Sequence, residues 1–396
     1  MENNFLPFAL PLIEQEEIDA VVETLKSGWI TTGPKTKQFE ADFAEQIGCK
    51  HAIAVNSCTA ALHLALEAIN IGEGDGVVTT PMTFAATAEV ISYFKAQPVF
   101  VDIDPITLNI DITKLEEGMA ILKKRACLKN VKAILPVHFA GYPCPMDEIT
   151  QVAKKNNWKV IEDAAHAQAS LYKGKIIGNI SDITCFSFYA TKNMATGEGG
   201  MITTNNDAWA DRMRIMSLHG ISRDAWKRYQ ADGNWHYDII APGFKYNLTD
   251  IASALGIVQL KKSNALLVRR TKIAQMYDQA FSSLSEIETP PMGQTNQLQH
   301  AWHLYVIKLN LATLSIDRDL FINELKALGI GVSVHFIPLH IHPYYKERYG
   351  FEPTDFPVAY ETYQRIISLP IYPKMSDADV ERVISAVTTV AKRFKR

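Results

Sequence analysis

A chain of 396 residues is too long for one compact core, so two domains, or one large domain with a lobe, are expected. Its 47% hydrophobic and 21% charged residues are those of an ordinary soluble globular protein. A net charge of -3 gives no reason to expect nucleic acid or an anionic membrane as partner. The first residues, MENNFLPFALP, carry acidic and polar groups where a signal peptide carries positive charge, and no apolar run approaches membrane-spanning length. Five cysteines (Cys49, Cys58, Cys127, Cys144, Cys185) without a CxxC pair argue against a disulfide framework or a zinc site, and a reducing, cytoplasmic location fits best.

In chain order, residues 1–12 form an apolar, proline-containing arm that needs a surface to pack on, such as a second subunit. Residues 14–27 have helical periodicity, with Gly28 as the stop. Residues 29–34 form an irregular, hydroxyl-rich connection, a plain link or one of the loops where binding residues concentrate. From 51 to 205, apolar runs at 52–56, 77–80, 98–101, 133–137, 158–161 and 183–188 alternate with helical stretches near 59–70, 85–94 and 147–155. This pattern predicts an α/β fold of mainly parallel strands with helices on both faces, in which ligands sit beyond the carboxyl ends of the strands.

Residues 206–250 are less regular and contain Trp226, Tyr229, Trp235 and Tyr237. Thr249 or Asp250 can cap a long helical region that runs to about residue 284, and Pro290-Pro291 marks a boundary. Strands at 302–309, 332–336 and 366–371, a helix at 320–328 and a final helix opened by Ser376 and Asp379 predict a small α+β domain. The expected division is an arm (1–12), a large domain (13–250), connecting helices (251–290) and a small C-terminal domain (291–396).

Three strand ends carry the candidate chemistry. At Asn56-Ser57-Cys58-Thr59-Ala60 a strand runs into a helix, whose N-terminal amides and hydroxyls suit a phosphate, although Ser and Thr are also ordinary caps. Glu162-Asp163 ends a buried strand, where two adjacent acids are costly unless one is paired. A pyridinium nitrogen would be such a partner for Asp163, as would a structural salt bridge. Lys192 lies between Ser187 and the run Gly197-Glu198-Gly199-Gly200. A lysine that bonds an aldehyde cofactor needs this kind of setting, whereas an isolated lysine is ordinarily a solvated loop residue. Phe84, after the strand at 77–80, could stack on a flat ring or belong to the core.

SGWITTGP, NSCTAALHLAL, IEDAAHA, SFYATKN…GEGG and PGFKYNLTDI together resemble the DegT/DnrJ/EryC1/StrS family of sugar aminotransferases, over essentially the whole chain. These are pyridoxal 5'-phosphate enzymes of the aspartate aminotransferase fold (PLP fold type I), and the chain looks most like those that aminate C4 of UDP-linked 4-keto sugars. The resemblance implies that Lys192 is the Schiff-base lysine and acid–base catalyst, and that Asp163 partners the pyridine nitrogen. It places His166 near the phenolic oxygen, Phe84 on the ring face, and Cys58, Thr59, Ala60 and Ser187 around the phosphate, assisted by Asn247 of a neighbouring subunit. Substrate contacts would come from Phe8, Trp29, Ile30, Thr31, Cys58, Ser187, Asn247, Ser333, Val334, His335 and Phe336.

The sequence departs from many relatives at Lys245 and Asn247, which occupy a GxNxR pattern, and at Cys58, where Gly or Ala is usual. Relatives that act as dehydratases replace the lysine with histidine, so Lys192 implies amination. The implied reaction takes an amino group from glutamate, releases 2-oxoglutarate and aminates a nucleotide-linked keto sugar, in a homodimer with shared sites. A 3-aminotransferase, a dTDP- or GDP-sugar enzyme, or a cofactor-binding sensor without turnover are the competing readings. No metal is expected: His63, His138 and His219 lack ligand spacing, as do His340 and His342.

Overall fold

A computed structural model describes residues 5–124, 128–222, 236–293, 295 and 297–396. Cys127, Trp226, Tyr229 and Trp235, singled out from the sequence, lie outside them.

The six apolar runs of residues 51–205, together with the strand entered through Gly197-Glu198-Gly199-Gly200, form a seven-stranded sheet in the order β1-β9-β8-β5-β4-β2-β3. The strands are β1 (His51–Val55), β2 (Gly76–Thr79), β3 (Gln97–Phe100), β4 (Val131–Ile134), β5 (Lys159–Asp163), β8 (Ile183–Ser187) and β9 (Gly200–Thr204). All pair in parallel except β9, which runs antiparallel to both β1 and β8. Successive residues point to opposite faces, and both faces are buried. Ile53, Val77, Ile161, Ile183 and Ile202 pack on one side with α3 (Cys58–Ala68), α4 (Ala85–Tyr93) and α7 (Asp207–Met216). Their neighbours Ala52, Val78, Val160, Phe186 and Met201 face the other side, which α2 (Pro34–Ile47), α5 (Leu115–Lys123), α6 (Met146–Asn156) and the first half of α8 (Asp250–Phe281) cover. Strand β5 continues two residues beyond the expected 161, so Glu162 and Asp163 are themselves strand residues, buried at 0% and 5% exposure.

Sequence reading passed over α2, although its signals are present: Pro34 at the first position, Gly48 in the left-handed conformation just past the end, and Phe39, Phe43 and Ile47 four residues apart. Gly256 on α8 makes room for it, since a Cβ there would lie 2.6 Å from the Phe39 ring. Asp250 holds the N-terminus of α2. Its carboxylate accepts from the amides of Gly33 (2.7 Å), Lys35 (3.0 Å) and Thr36 (2.9 Å) and from the Thr36 hydroxyl (2.7 Å). Thr249 therefore caps α8 alone, its hydroxyl accepting from the Ala252 amide.

The long helical region expected to about residue 284 is a 32-residue helix, α8, on which α1 (Gln15–Ser27) packs. The second half of α8 (Ile273, Tyr277, Phe281) belongs to a separate core. That core is built with β10 (Ile287–Glu288), β12 (Tyr305–Leu309), β13 (Ile366–Leu369), α9 (Arg318–Ala327) and α12 (Asp377–Arg393), a smaller C-terminal α+β unit. Residues 332–336, expected as a strand, form none. Only Ser333 pairs, with Ser368, and the chain then runs irregularly past the large sheet before α10 (Pro343–Tyr349) and α11 (Pro357–Tyr363). A third small sheet joins β6 (Leu171–Tyr172), β7 (Lys175–Ile176) and β11 (Leu298–Gln299). The arm packs on its own chain: Leu6 is buried in the C-terminal core and exchanges backbone hydrogen bonds with Gly329 and Gly331 (both 2.8 Å). Among the described residues no helix is long and apolar enough to cross a membrane.

Candidate active site

The carboxyl ends of β1, β5 and β8 open on one cavity of about 490 Å³. Ten of the residues expected to bind cofactor or substrate line it: Phe8, Cys58, Thr59, Phe84, Asp163, His166, Ser187, Lys192, His335 and Phe336. Residues 56–60, 163–166 and 187–192 are far apart in sequence, and the strand order β1-β9-β8-β5 brings them together.

At the first end Ser57 caps α3, its hydroxyl accepting from the Ala60 amide (3.1 Å). This leaves the amides of the first turn, at Cys58 and Thr59, without intrahelical acceptors beside the cavity, and no acid stands in that turn. The glycine run after Lys192 serves this end. A Cβ on Gly200 would meet the backbone of Ser57 at 2.6 Å, so β9 approaches the β1–α3 turn only because residue 200 is glycine. Cys58 is not a nucleophile here: burial, then the nearby Asp163 charge, push its thiol well above the usual range.

At the second end the two acids have separate fates. Glu162 is closed off behind the cavity. His138 Nδ1 accepts from the Cys144 amide (3.0 Å), so Nε2 carries the hydrogen and donates to Glu162 Oε2 (2.7 Å). The hydroxyls of Ser181 (2.6 Å) and Thr184 (2.9 Å) donate to Oε1. Burial pushes this carboxyl up, and the contacts from His138 and the two hydroxyls outweigh it and hold it below its ordinary value. Removing the imidazole takes from the buried carboxylate one of its three donors, so His138→Ala is expected to cost about 1.5–3 kcal/mol, to be read from urea unfolding.

Asp163 faces the cavity and, among the described residues, its carboxylate is hydrogen-bonded only by neutral donors, the Thr87 hydroxyl (2.8 Å) and the Ala165 amide (3.1 Å). Burial pushes its carboxyl above the ordinary value, and the Thr87 and Ala165 hydrogen bonds do not fully offset it. A buried carboxylate lacking a cationic partner is what a protonated ring nitrogen would complete.

At the third end Lys192 is the only lysine or arginine among the described residues lining the cavity. Burial lowers its ammonium to about 8, against smaller opposing influences from Cys58 and Asp163. The neutral amine is thus available near neutral pH. Competitive acetylation of the apoprotein across a pH series, read by peptide mass mapping, should show Lys192 titrating near 8.

His166 presents a defined tautomer. Its Nδ1 accepts from the Ala140 amide (3.2 Å), so the neutral ring carries its hydrogen on Nε2. Burial, then Lys192 and His335, hold its pKa well below the usual histidine value. Its ring stacks on Phe336 (centroids 5.9 Å apart, planes at 14°), and His335 in turn stacks on Phe8 of the arm (5.4 Å).

The remaining predicted residues lie outside this chain's cavity. Ala60 is inside the first turn of α3 with its amide engaged by Ser57. Val334 lines an adjoining cavity of about 810 Å³ that shares Thr83, Phe84 and Phe336. Ser333 is tied by its backbone to Ser368. Trp29, Ile30 and Thr31 sit beyond α1, with Trp29 and Ile30 at 41% and 51% exposure. Asn247 donates to the Thr32 hydroxyl (2.6 Å) and accepts from Lys245 Nζ (2.6 Å), so these two form one polar pair away from the cavity.

Thr83, which precedes Phe84 in sequence and was given no role, also lines the cavity, as do Thr87 and His303, which sequence reading missed. Thr87 was findable, one helical turn after Thr83. His303 carried no signal in its apolar run. Its ring packs on His166 at a tilt (centroids 4.3 Å apart, planes at 38°) and contacts Asn193 Oδ1 through Nδ1 (3.2 Å), beside Lys192 in sequence.

A mainly parallel sheet whose strand ends gather a half-buried lysine, a buried acid and a helix N-terminus around one cavity defines a pyridoxal-phosphate enzyme of fold type I. The chain belongs to the DegT/DnrJ/EryC1/StrS aminotransferase family, whose profile matches residues 11–388. It is 50% identical over 391 residues to the spore coat polysaccharide biosynthesis protein SpsC of Bacillus subtilis (strain 168), covering 98% of each chain. Among solved structures it is similar to the sugar aminotransferase Spr1654 of Streptococcus pneumoniae in its PMP form (38% identity, TM-score 0.89, 98% of this chain and 99% of that one). It is also similar to PseC of Helicobacter pylori, an aminotransferase involved in the biosynthesis of pseudoaminic acid (28% identity, TM-score 0.88, 98% and 100%). The family depends on pyridoxal 5'-phosphate, and Spr1654 is also solved in a PLP form.

Proposed function

We propose that this chain moves an amino group from glutamate to C4 of a UDP-linked 4-keto sugar, for a surface polysaccharide or glycan, as a cytoplasmic homodimer with shared active sites. The observation that carries the aminotransferase reading is the convergence of Lys192, Asp163 and the α3 N-terminus on one cavity. The likeness to PseC and SpsC supports an amino-sugar product used in a polysaccharide.

In this reading Lys192 Nζ carries the cofactor and, once released by the amino donor, takes the proton from the donor's α-carbon and returns one later. An amine held near 8 can do both at neutral pH. The bound cofactor supplies the electron sink. Asp163 would keep its ring nitrogen protonated, and His166 Nε2–H would be available to its phenolic oxygen. Phe84 would cover the ring. The amides of Cys58 and Thr59, the Ala60 turn and the Ser187 hydroxyl would hold the phosphate, with Asn247 supplied by a neighbouring subunit. Phe8 and the segment from Ser333 to Phe336 line the sugar's entry, and Trp29, Ile30 and Thr31 act from outside the chain's own cavity.

The test is incubation with glutamate and a panel of nucleotide keto sugars, with the product identified by mass and NMR. A 4-amino UDP-sugar is expected. Amination at C3, or of dTDP- or GDP-sugars alone, would overturn the substrate assignment, and a visible cofactor band indifferent to every amino donor would overturn turnover itself.

A further inference from the structure

Two hydroxyls stand behind Asp163 in series. Thr87 Oγ1 lies 2.8 Å from Asp163 Oδ2, and Thr83 Oγ1 lies 2.7 Å from Thr87 Oγ1. A hydroxyl has one hydrogen, and an ionised carboxylate can only accept. With Asp163 ionised, Thr87 therefore donates to it and must accept from Thr83, which orients both dipoles toward the carboxylate. Both threonines are buried, at 2% and 1% exposure, and both line the cofactor cavity.

Neither hydroxyl is explained by the helix they open. Phe84 is the N-cap of α4 and makes no side-chain cap, while Thr87, in the first turn, turns its hydroxyl across the sheet to a residue 76 positions away. A valine would fill the same volume without burying a hydroxyl, so a threonine here needs a polar reason. The contrast with Glu162 shows how little else Asp163 has: its neighbour is met by an imidazole and two hydroxyls, whereas Asp163 has Thr87 and one amide.

We propose that Thr83 and Thr87 form a two-hydroxyl relay that holds Asp163 ionised and oriented toward the cofactor's ring nitrogen, which makes Thr87 a positioning residue of the reaction. This rests on the reading of Asp163 given above. Burial raises the acid's pKa, and the Thr87 hydrogen bond is the largest influence opposing that rise.

Four variants test it: Thr87→Val, Thr87→Ser, Thr83→Val and Asp163→Asn, each titrated with pyridoxal 5'-phosphate and followed through the glutamate half-reaction. A hydrogen bond to a charged group is lost in Thr87→Val, so cofactor affinity and the half-reaction rate constant should each fall about tenfold, with the half-saturating glutamate concentration little changed. Thr83→Val removes a neutral bond and should cost about threefold. Thr87→Ser should return to within about threefold of wild type, because it restores the donor. Wild-type affinity and rate in Thr87→Val, with losses in Asp163→Asn, would overturn the relay and leave the Asp163 role standing. Losses in Thr87→Val that serine does not rescue would show a steric effect and also overturn it. Normal behaviour of Asp163→Asn would remove both readings. If Thr87→Val does not fold, Thr83→Val decides by the same measurements.

Discussion

Lys192→Ala is expected to abolish transamination, a loss of at least about 10⁴-fold in kcat, while the apoprotein unfolds at the wild-type temperature or above. Both halves follow from one feature. The side chain supplies the only primary amine among the described residues lining the cavity, so no other described group there can carry the cofactor through an imine. The same cavity disfavours its charge, lowering the ammonium from 10.5 to about 8. The folded state then binds fewer protons than the unfolded chain between about 8 and 10.5, so this group's contribution to stability grows as pH rises through that window and is least below it. At pH 7 the lysine is a burden on the apoprotein, and alanine relieves it. A variant that lost both activity and thermal stability would point to a structural lysine.

The second large effect is expected at Asp163, with a change of sign between the empty and the loaded protein. Asp163→Asn should weaken cofactor binding by about 10²–10³-fold, since a charge pair formed out of water is lost. In the apoprotein the carboxylate is a liability. Its folded pKa is raised from 3.8, so the stability it allows is present below that value and is lost as pH rises above it. Asparagine fits the site without orphaned groups: its oxygen can accept from the Ala165 amide, and its amide can donate to Thr87, whose hydroxyl then turns to Thr83. The Asp163→Asn apoprotein should therefore melt above the wild-type apoprotein at pH 7, and the order should reverse at saturating cofactor. Scanning calorimetry of both forms checks it. Near-wild-type affinity in the variant would remove the proposed role.

How much of this was legible before the structure depends on how far each partner lies along the chain. Lys192, Asp163 and Cys58-Thr59 each follow a buried strand, and an α/β pattern already says that such ends face one ligand region. Asp163's need for a partner was visible too, from two adjacent acids on an apolar strand. The identity of Glu162's partner was not. His138 lies 24 residues earlier, on the neighbouring strand's exit, and only the sheet order β5-β4 makes them neighbours. Thr87 and His303 were missed for the same reason, since each acts on a group brought to it by the sheet. The strand expected at 332–336 failed because apolar alternation predicts a buried run but not a pairing partner. Only Ser333 reaches β13, and His335 and Phe336 turn instead to the cavity, where they pack on Phe8 and His166. Arm residue Leu6 found its cover on its own chain, a choice that greasiness alone cannot make.

The most direct test is chemical. Borohydride reduction of the holoprotein, followed by peptide mapping, should fix the cofactor to the peptide bearing Lys192 and to no other. A reduced adduct at a different lysine, or an unmodified Lys192 in protein that holds the cofactor, would contradict the account.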